Sequence, residues 1–194
     1  MRGSILVLFV GILVFACQRN YTPKPHSFFR IDFPEKEYRL FDSICPFVFE
    51  YPVYGKIVPP YLRVSSDNCL FDIAFPRYKA HIHVTYLEIN NNFDIFIEDN
   101  WRMIFSRLSQ RADAIDEYQV YDPDANVFGL IYNISGNAAS HVQFFLTDSV
   151  KHFVRGSLYF YNRPNYDSLA PAIEFFREDI IHMAETFSWK TNTK

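Results

Sequence analysis

Three apolar runs near the middle of the chain constrain its fold most. Residues 127–134, 142–146 and 152–160 are rich in Val, Ile, Phe and Tyr, and short polar segments around Gly136 and Asp148 separate them. β-branched and aromatic side chains favour the pleated surface of a strand, whereas Gly, Asn, Asp and Ser favour turns. The pattern predicts three adjacent antiparallel strands that form the centre of a sheet.

Residues 28–86 also have the character of strands. Three segments within them end in an aromatic residue followed by proline, at 33–34, 51–52 and 75–76. Proline lacks the backbone N–H that a strand ladder needs and holds the preceding residue extended, so each pair is predicted to end a strand. Residues 81–86 alternate cleanly, which predicts one apolar face and one polar face.

Two later stretches have apolar residues spaced by three and four, which is typical of an amphipathic helix. Residues 93–115 are predicted to form one helix of about six turns, and residues 117–121 a short strand after it. A second helix is predicted to start with Ser168 as its N-cap and to end near Trp189. This order of elements predicts an α+β fold in which an antiparallel β-sheet is covered by two main helices.

The N-terminal leader indicates the compartment. Arg2 precedes an apolar run at residues 5–15, and the run is followed by Ala16 and Cys17. As a helix this run would span roughly 16 Å, about half of the ~30 Å hydrocarbon core, so a signal peptide is predicted rather than a membrane span. A small residue directly before a cysteine resembles the bacterial lipoprotein cleavage site. We therefore expect cleavage before Cys17 and acylation of its thiol.

These features divide the chain into four parts. Residues 1–16 are the predicted lipoprotein signal peptide, and residues 17–27 a polar, lipidated tether. Residues 28–190 are predicted to form a single globular domain, and residues 191–194 a tail. Two or three acyl chains on Cys17 would hold the protein stably at a cell membrane or outer membrane, with the domain in the periplasm and the outer membrane slightly favoured.

Composition predicts a folded domain and argues against a nucleic-acid-binding function. Hydrophobic residues make up 49% of the chain and aromatic residues 19%, which predicts a packed interior rather than disorder. The net charge is −3 and no basic block stands out, so nucleic acid is not an expected partner.

Two cysteines remain in the domain, Cys45 and Cys69. Outside the cytoplasm they can form a disulfide, which would stabilise the fold by roughly 3 kcal/mol through the loop it closes. Both also stand in apolar contexts that suit two buried thiols. The sequence leaves these two alternatives open.

Few residues in the chain suggest a metal site or a catalytic site. His81 and His83 lie two apart on one predicted strand face and are the best metal candidates, but no further ligand pattern accompanies them, so no metal or other cofactor is assigned. Ser140, His141 and Asp148 offer the groups of a catalytic triad without the G-x-S-x-G turn, and neighbours on a strand point to opposite faces. The sequence does not predict an enzyme.

The segment Gly136, Asn137, Ala138, Ala139 and Ser140 is small and polar between aromatic strands. It is a candidate docking loop that a partner's backbone can approach closely. The alternative is a tight link between two strands that needs a positive φ angle at Gly136 or Asn137.

Several long segments resemble one family. GNAASHVQFFLTDSVKHFVRGSLYF, PNYDSLAPAIEFFREDI and TFSWK, together with the earlier FRIDFPEKEYRLF, FVFEYP and KAHIHVTY, are similar to the gliding motility lipoprotein GldD family. This resemblance implies a lipid-anchored (palmitate-bearing) envelope protein that supports gliding motility and type IX secretion. It also implies protein–protein contacts with other gliding and secretion envelope proteins.

Two further expectations concern the fold and a rival function. The element order resembles the sandwich of the PsbP and Mog1 type, an analogy that carries no function. The rival function is an envelope binding module that holds a small or lipidic ligand between sheet and helix. An aromatic-lined concavity would favour this alternative.

Overall fold

The structure is a computed structural model, and it describes residues 31–59, 69–161 and 165–190. The predicted signal peptide, the tether with Cys17 and the tail at 191–194 lie outside the described residues. Neither α-helix of the described part is long and apolar enough to cross a bilayer.

The described residues form an α+β fold with antiparallel sheets and two α-helices, as predicted from the order of elements. The elements are β1 (Tyr38–Asp42), β2 (Phe47–Pro52), β3 (Lys56–Val58), β4 (Leu70–Phe75), β5 (Ala80–Glu88), α1 (Phe93–Arg102), β6 (Ala112–Asp122), β7 (Val127–Gly136), β8 (Val142–Thr147), β9 (His152–Phe160), α2 (Tyr166–Glu185) and β10 (Ser188–Trp189). Short 3₁₀ turns lie at Pro76–Tyr78 and Ser109–Arg111, and a π-helical turn lies at Met103–Leu108.

The strands form two sheets. The larger sheet has the order β3-β4-β5-β9-β8-β7-β6, and the smaller one has the order β1-β2-β10. Every pair of neighbours in both sheets is antiparallel. The prediction of three adjacent antiparallel strands at 127–160 is confirmed, because β7, β8 and β9 follow one another in the large sheet.

One face of the large sheet packs against α2 and the small sheet. Phe41 and Phe49 of the small sheet stack at 4.7 Å between ring centroids, and Phe41 stacks on Phe71 of β4 at the same distance. Phe75 of β4 meets Phe176 of α2 at 4.5 Å. Many of the aromatic side chains of the described residues therefore fill this interface.

The opposite face is covered at one end by α1 and the turns after it. Ile104 of the π-helical turn is fully buried there, and Phe96 of α1 packs against Phe153 of β9 at 5.4 Å. Tyr132 and Phe145 complete this second apolar cluster from β7 and β8. The large sheet is thus apolar on both faces at this end.

The predicted helix over residues 93–115 is α-helical only in its first three turns, and the prediction is wrong from Ala112 onwards. α1 ends at Arg102, and the chain passes through the π and 3₁₀ turns into β6 at Ala112. Ile115 pairs with Ile134 of β7, so hydrogen bonding to the sheet replaces helical bonding. The predicted short strand at 117–121 is in consequence a strand of 11 residues.

The second helix starts earlier and ends earlier than predicted. Asn165, rather than Ser168, is the N-cap, and its side chain accepts a hydrogen bond from the Ser168 N–H. Pro171 consequently lies inside α2 instead of its first turn. The helix ends at Glu185, because Ser188–Trp189 pairs with β2 to form the edge of the small sheet.

The buried carboxylate of Asp179 in α2 binds the first described segment through Lys36 and Tyr38. Asp179 accepts hydrogen bonds from Lys36 Nζ at 2.7 Å, from Tyr54 OH at 2.6 Å and from Tyr38 OH at 3.1 Å. Lys36 Nζ also donates to the Phe175 carbonyl and lies over the Phe175 ring. These contacts fix where the chain enters the domain.

Candidate functional site

A row of polar side chains crosses the large sheet on the face that carries α1. Asp72 of β4, His83 of β5 and Ser157 of β9 lie directly opposite one another in the strand register, and Gln143 of β8 continues the row. Side chains opposite one another in neighbouring strands share a face, so the register alone brings these groups together.

The centre of this row is a carboxylate between two imidazoles, here called the carboxylate–histidine cluster (Asp72, His81 and His83). The His83 Nδ1–H donates to Asp72 Oδ1 over 2.5 Å, and His81 Nδ1 lies 3.9 Å from Asp72 Oδ2. Asp72 is only 2% exposed, while both histidines are partly open to solvent. The prediction that His81 and His83 share one strand face agrees with this geometry.

Two tyrosines of β9 and the turn after it border the cluster. His83 lies 5.2 Å from the ring of Tyr159, and His81 meets Tyr161 edge to face at 4.7 Å. Burial lowers the pKa of His81, the Asp72 carboxylate opposes this shift, and His83 adds to it. Burial likewise raises the pKa of Tyr159, against the effect of Arg155.

The chemistry that this cluster can perform is limited. The pairing of Asp72 with His83 orients an imidazole as a general base requires, but Ser157 Oγ makes no hydrogen bond to His83 among the described residues. The described residues also contain no group of three or more His, Cys, Asp or Glu side chains placed to hold a metal ion. The weak metal candidates His81 and His83 therefore gain no further ligand set.

The other histidines considered as ligands lie elsewhere. His141 is buried between Phe160 and Tyr166, and burial lowers its pKa against the effect of its hydrogen bond to the Ile134 carbonyl. His152 Nδ1 is hydrogen-bonded to Tyr86 OH at 2.8 Å. His141 and His152 thus have partners other than the carboxylate–histidine cluster.

The triad suggested by Ser140, His141 and Asp148 is not assembled. Ser140 is fully buried and its Oγ donates to the Leu158 carbonyl at 2.9 Å. Asp148 accepts hydrogen bonds from the backbone N–H groups of its own turn, including that of His152 at 2.8 Å. Each of these side chains thus has a structural partner.

The candidate docking loop is a tight link between β7 and β8. Gly136 has a φ of +93°, as the alternative interpretation required, and Gly136, Ala138 and Ser140 are all buried. The exposed residues are Asn137 and Ala139, and the Asn137 side chain accepts a hydrogen bond from the Tyr166 N–H. A partner would find little of this loop to contact.

Cys45 and Cys69 are both buried in the main core. The two alternatives left open by the sequence, a disulfide and two buried thiols, both stay predictions. Apolar burial is typical of structural cysteines.

The exposed apolar side chains are the features most suited to contacts with other molecules. They stand mainly on α1, on β6 and in the turns: Leu40, Ile44, Val53, Ile95, Trp101, Tyr118, Tyr121, Val150 and Tyr161. Tyr118 and Tyr121 lie in the stretch predicted as a short strand, but the sequence does not show that this strand forms the exposed edge of the sheet.

The comparison with families identifies the chain. A sequence model described as gliding motility lipoprotein GldD matches residues 18–189. The chain belongs to the GldD family. It is therefore a gliding-motility-associated lipoprotein, and the resemblance seen in the sequence is confirmed. Membership in a lipoprotein family also indicates anchoring to a membrane of the cell envelope.

Two further comparisons add little. The solution structure of cyanobacterial PsbP from Synechocystis is similar with a TM-score of 0.43 and 14% sequence identity, covering 80% of this chain and 94% of that chain. A comparison with curated proteins gave no match.

Proposed function

We propose that this chain is a lipid-anchored cell-envelope protein that supports gliding motility and the associated type IX secretion through contacts with other envelope proteins. The family match over residues 18–189 carries the proposal, since it covers the whole described domain and begins directly after Cys17. The exposed aromatic side chains of β6, Tyr118 and Tyr121, support a role in contacts, because such residues are enriched where proteins meet.

The experiment for this proposal is a clean deletion of the gene, complemented with the wild-type chain. We expect the deletion strain to lose colony spreading and to retain type IX cargo inside the cell, with both defects restored by complementation. Normal spreading of the deletion strain would contradict a role in motility. Lost spreading with normal secretion would contradict the secretion part alone.

The lipid anchor is proposed on Cys17, with fatty acyl chains such as palmitate. Replacement Cys17→Ser removes the thiol that would be acylated, so we expect an unprocessed precursor or a soluble periplasmic protein in membrane fractionation. The matched controls are Cys45→Ser and Cys69→Ser, which leave the leader intact and should stay in the membrane fraction. A Cys17→Ser protein that is processed to the mature size and still fractionates like wild type would contradict lipidation.

A specific groove supports the second candidate function, the binding of a small or lipidic ligand. It has a volume of about 310 Å³ and is lined by Tyr54, Phe75 and Tyr78 together with Lys56 and Arg77. Aromatic walls beside two cations suit an anionic amphiphile.

The ligand function is tested with oleate as the probe in calorimetric titration. Binding should weaken in Arg77→Ala, which removes a cation of the groove, and remain unchanged in Lys151→Ala, which removes an exposed cation from the turn between β8 and β9. Equal binding by both variants would place oleate outside the groove and reject this candidate.

We further propose that the chain has no catalytic role. The structural partners of Ser140, His141 and Asp148 support this proposal. His83→Asn, which removes the imidazole paired with Asp72, should restore spreading in the deletion strain as well as wild type does. A folded, correctly anchored His83→Asn protein that fails to restore spreading would speak for chemistry at the carboxylate–histidine cluster.

A further inference from the structure

The large sheet ends in a long strand that is paired on one side only. β6 comprises 11 residues, bonds to β7, and is the last strand of the sheet order among the described residues. At ~3.3 Å per residue it extends for about 36 Å. Its outer side, here called the β6 edge, presents about half of the strand's backbone N–H and C=O groups. The strand at the other end of the sheet, β3, has only three residues.

The β6 edge is exposed along most of its length. Val120 is the one buried residue of the strand, whereas Tyr121 is 68% exposed. Long, exposed edges are normally shortened, covered or interrupted, because unpaired backbone groups recruit further strands. The edge thus has the geometry of a template for strand addition.

All charged side chains of this strand are acidic. Four acidic residues and no Lys, Arg or His occur in it, while the whole chain has a net charge of −3. The acidic residues are Asp113, Asp116, Glu117 and Asp122. Pairing with a second copy of β6 would bring like charges together, which is unfavourable. A segment rich in Lys and Arg would instead be attracted.

A groove runs beside the strand on the face that carries α2. It has a volume of about 360 Å³, and Tyr118, Val120 and Asp122 line it from β6, with Ala184 and Glu185 from the end of α2. An added strand would place alternate side chains over this groove. Apolar residues of that strand can contact Val120 and Tyr118, and basic residues can reach Asp122 and Glu185.

We propose that the β6 edge binds an extended, Lys/Arg-rich segment of a partner protein as an additional strand of the large sheet. This inference rests on the proposed function, in which the chain acts through protein contacts, and it names the surface and the chemistry of the partner. Main-chain hydrogen bonds supply affinity, and the pairing of basic side chains with the acidic strand supplies selectivity.

The binding experiment uses the full chain in detergent and two synthetic peptides as probes, one alternating Lys with Val and one alternating Glu with Val. We expect the Lys peptide to bind and the Glu peptide not to bind. Hydrogen exchange should show new protection of β6 amides, and no new protection in α1. Failure of the Lys peptide to bind, or protection confined to other elements, would overturn the inference.

Charge-reversal variants separate specific docking from general attraction. Asp116→Lys with Glu117→Lys should weaken Lys-peptide binding about tenfold or more. The control, Asp94→Lys with Asp99→Lys on α1, changes the net charge equally at exposed sites and should bind within about twofold of wild type. Asp116→Asn with Glu117→Gln serves as the milder variant, and unfolding curves verify that each protein folds. Equal weakening by the strand and control variants would reject the β6 edge.

Complementation distinguishes this inference from the proposed function. The strand variant should reach the membrane but fail to restore spreading, while the α1 control restores it. If the deletion strain itself spreads normally, the proposed function fails. If the strand variant restores spreading and the Lys peptide does not bind, only the β6 inference fails. A concentration-dependent dimer that the strand variant abolishes would make a second copy the occupant and would also overturn the inference.

Discussion

At the scale of residues, one buried carboxylate, that of Asp179, connects α2 to the residues packed against it. Asp179 is 1% exposed and stands in the apolar stripe of α2, three residues after Phe176. Burial raises its pKa, and hydrogen bonds from Lys36 and Tyr54 oppose this shift. A buried carboxylate is tolerated only when such donors compensate its lost hydration.

We expect Asp179→Ala to lower the free energy of unfolding by about 3 kcal/mol, because it leaves Lys36 and two tyrosine hydroxyls without their acceptor. Lys36 is partly exposed and can turn to solvent. The expected loss of unfolding free energy is therefore at the low end of the range for breaking a buried ion pair. Tyr38→Phe removes the longest of the three hydrogen bonds and should cost about 1 kcal/mol. Urea denaturation measures both values, and equal losses would contradict the central position of Asp179.

Two histidines with lowered pKa values, His141 and His152, make the stability of the domain sensitive to acid. Burial lowers the pKa of His141, and burial also lowers the pKa of His152 against the effect of Asp148. A histidine with a lowered pKa in the folded state stays neutral while the unfolded chain takes up a proton. The stabilisation is therefore complete above the ordinary pKa of 6.5 and is lost as the pH falls below it.

The unfolding free energy of the wild-type domain should thus fall between pH 7.5 and pH 5.5. His141→Gln removes one titrating group, so its stability should depend less steeply on pH over this interval. Ser140→Ala is the matched control, since it removes a neighbouring buried hydroxyl without a titrating group and should lower stability equally at both pH values. An unchanged slope in His141→Gln would show that His141 does not contribute.

At the scale of elements, the contact between β8 and β9 depends on a missing side chain. Gly156 of β9 lies opposite Phe144 of β8, and a Cβ atom at Gly156 would lie 2.2 Å from the Phe144 ring. The ring of Phe144 fills the space that a side chain would occupy.

Gly156→Ala should destabilise the domain by about 1–3 kcal/mol, because the added methyl group displaces a buried ring. Phe144→Leu removes the atoms that would collide, so the double variant should be more stable than the sum of the two single losses predicts. Thermal unfolding of the four proteins measures this coupling. Additive losses would show that the clash with Phe144 is not the cause.

The elements also show what the sequence can and cannot predict. The alternation of residues 81–86 correctly placed His81 and His83 on one face, because period two has no helical counterpart. Ala112 and Ile115 are three apart and fit a helix equally well, and only the available edge of β7 decides for a strand. Asp72 could not be paired with His83 in advance, since the register of β4 depends on tertiary packing.

At the scale of the whole molecule, the described domain contains its own core on both faces of one sheet. The cysteine proposed to carry the lipid, Cys17, lies outside the described residues. Folding and anchoring are therefore expected to be separable properties of the chain.

Residues 31–190 expressed without the leader and tether should accordingly unfold cooperatively, as measured by circular dichroism in urea, because both buried clusters are built from residues of this range. Exported to the periplasm without an anchor, this domain should fail to restore spreading, since it is not held near its partners at the membrane. Fusion to the signal sequence and tether of an unrelated lipoprotein should restore spreading. Full activity of the unanchored domain would show that the lipid is dispensable, whereas failure of the correctly anchored fusion would show that residues 17–30 make contacts of their own.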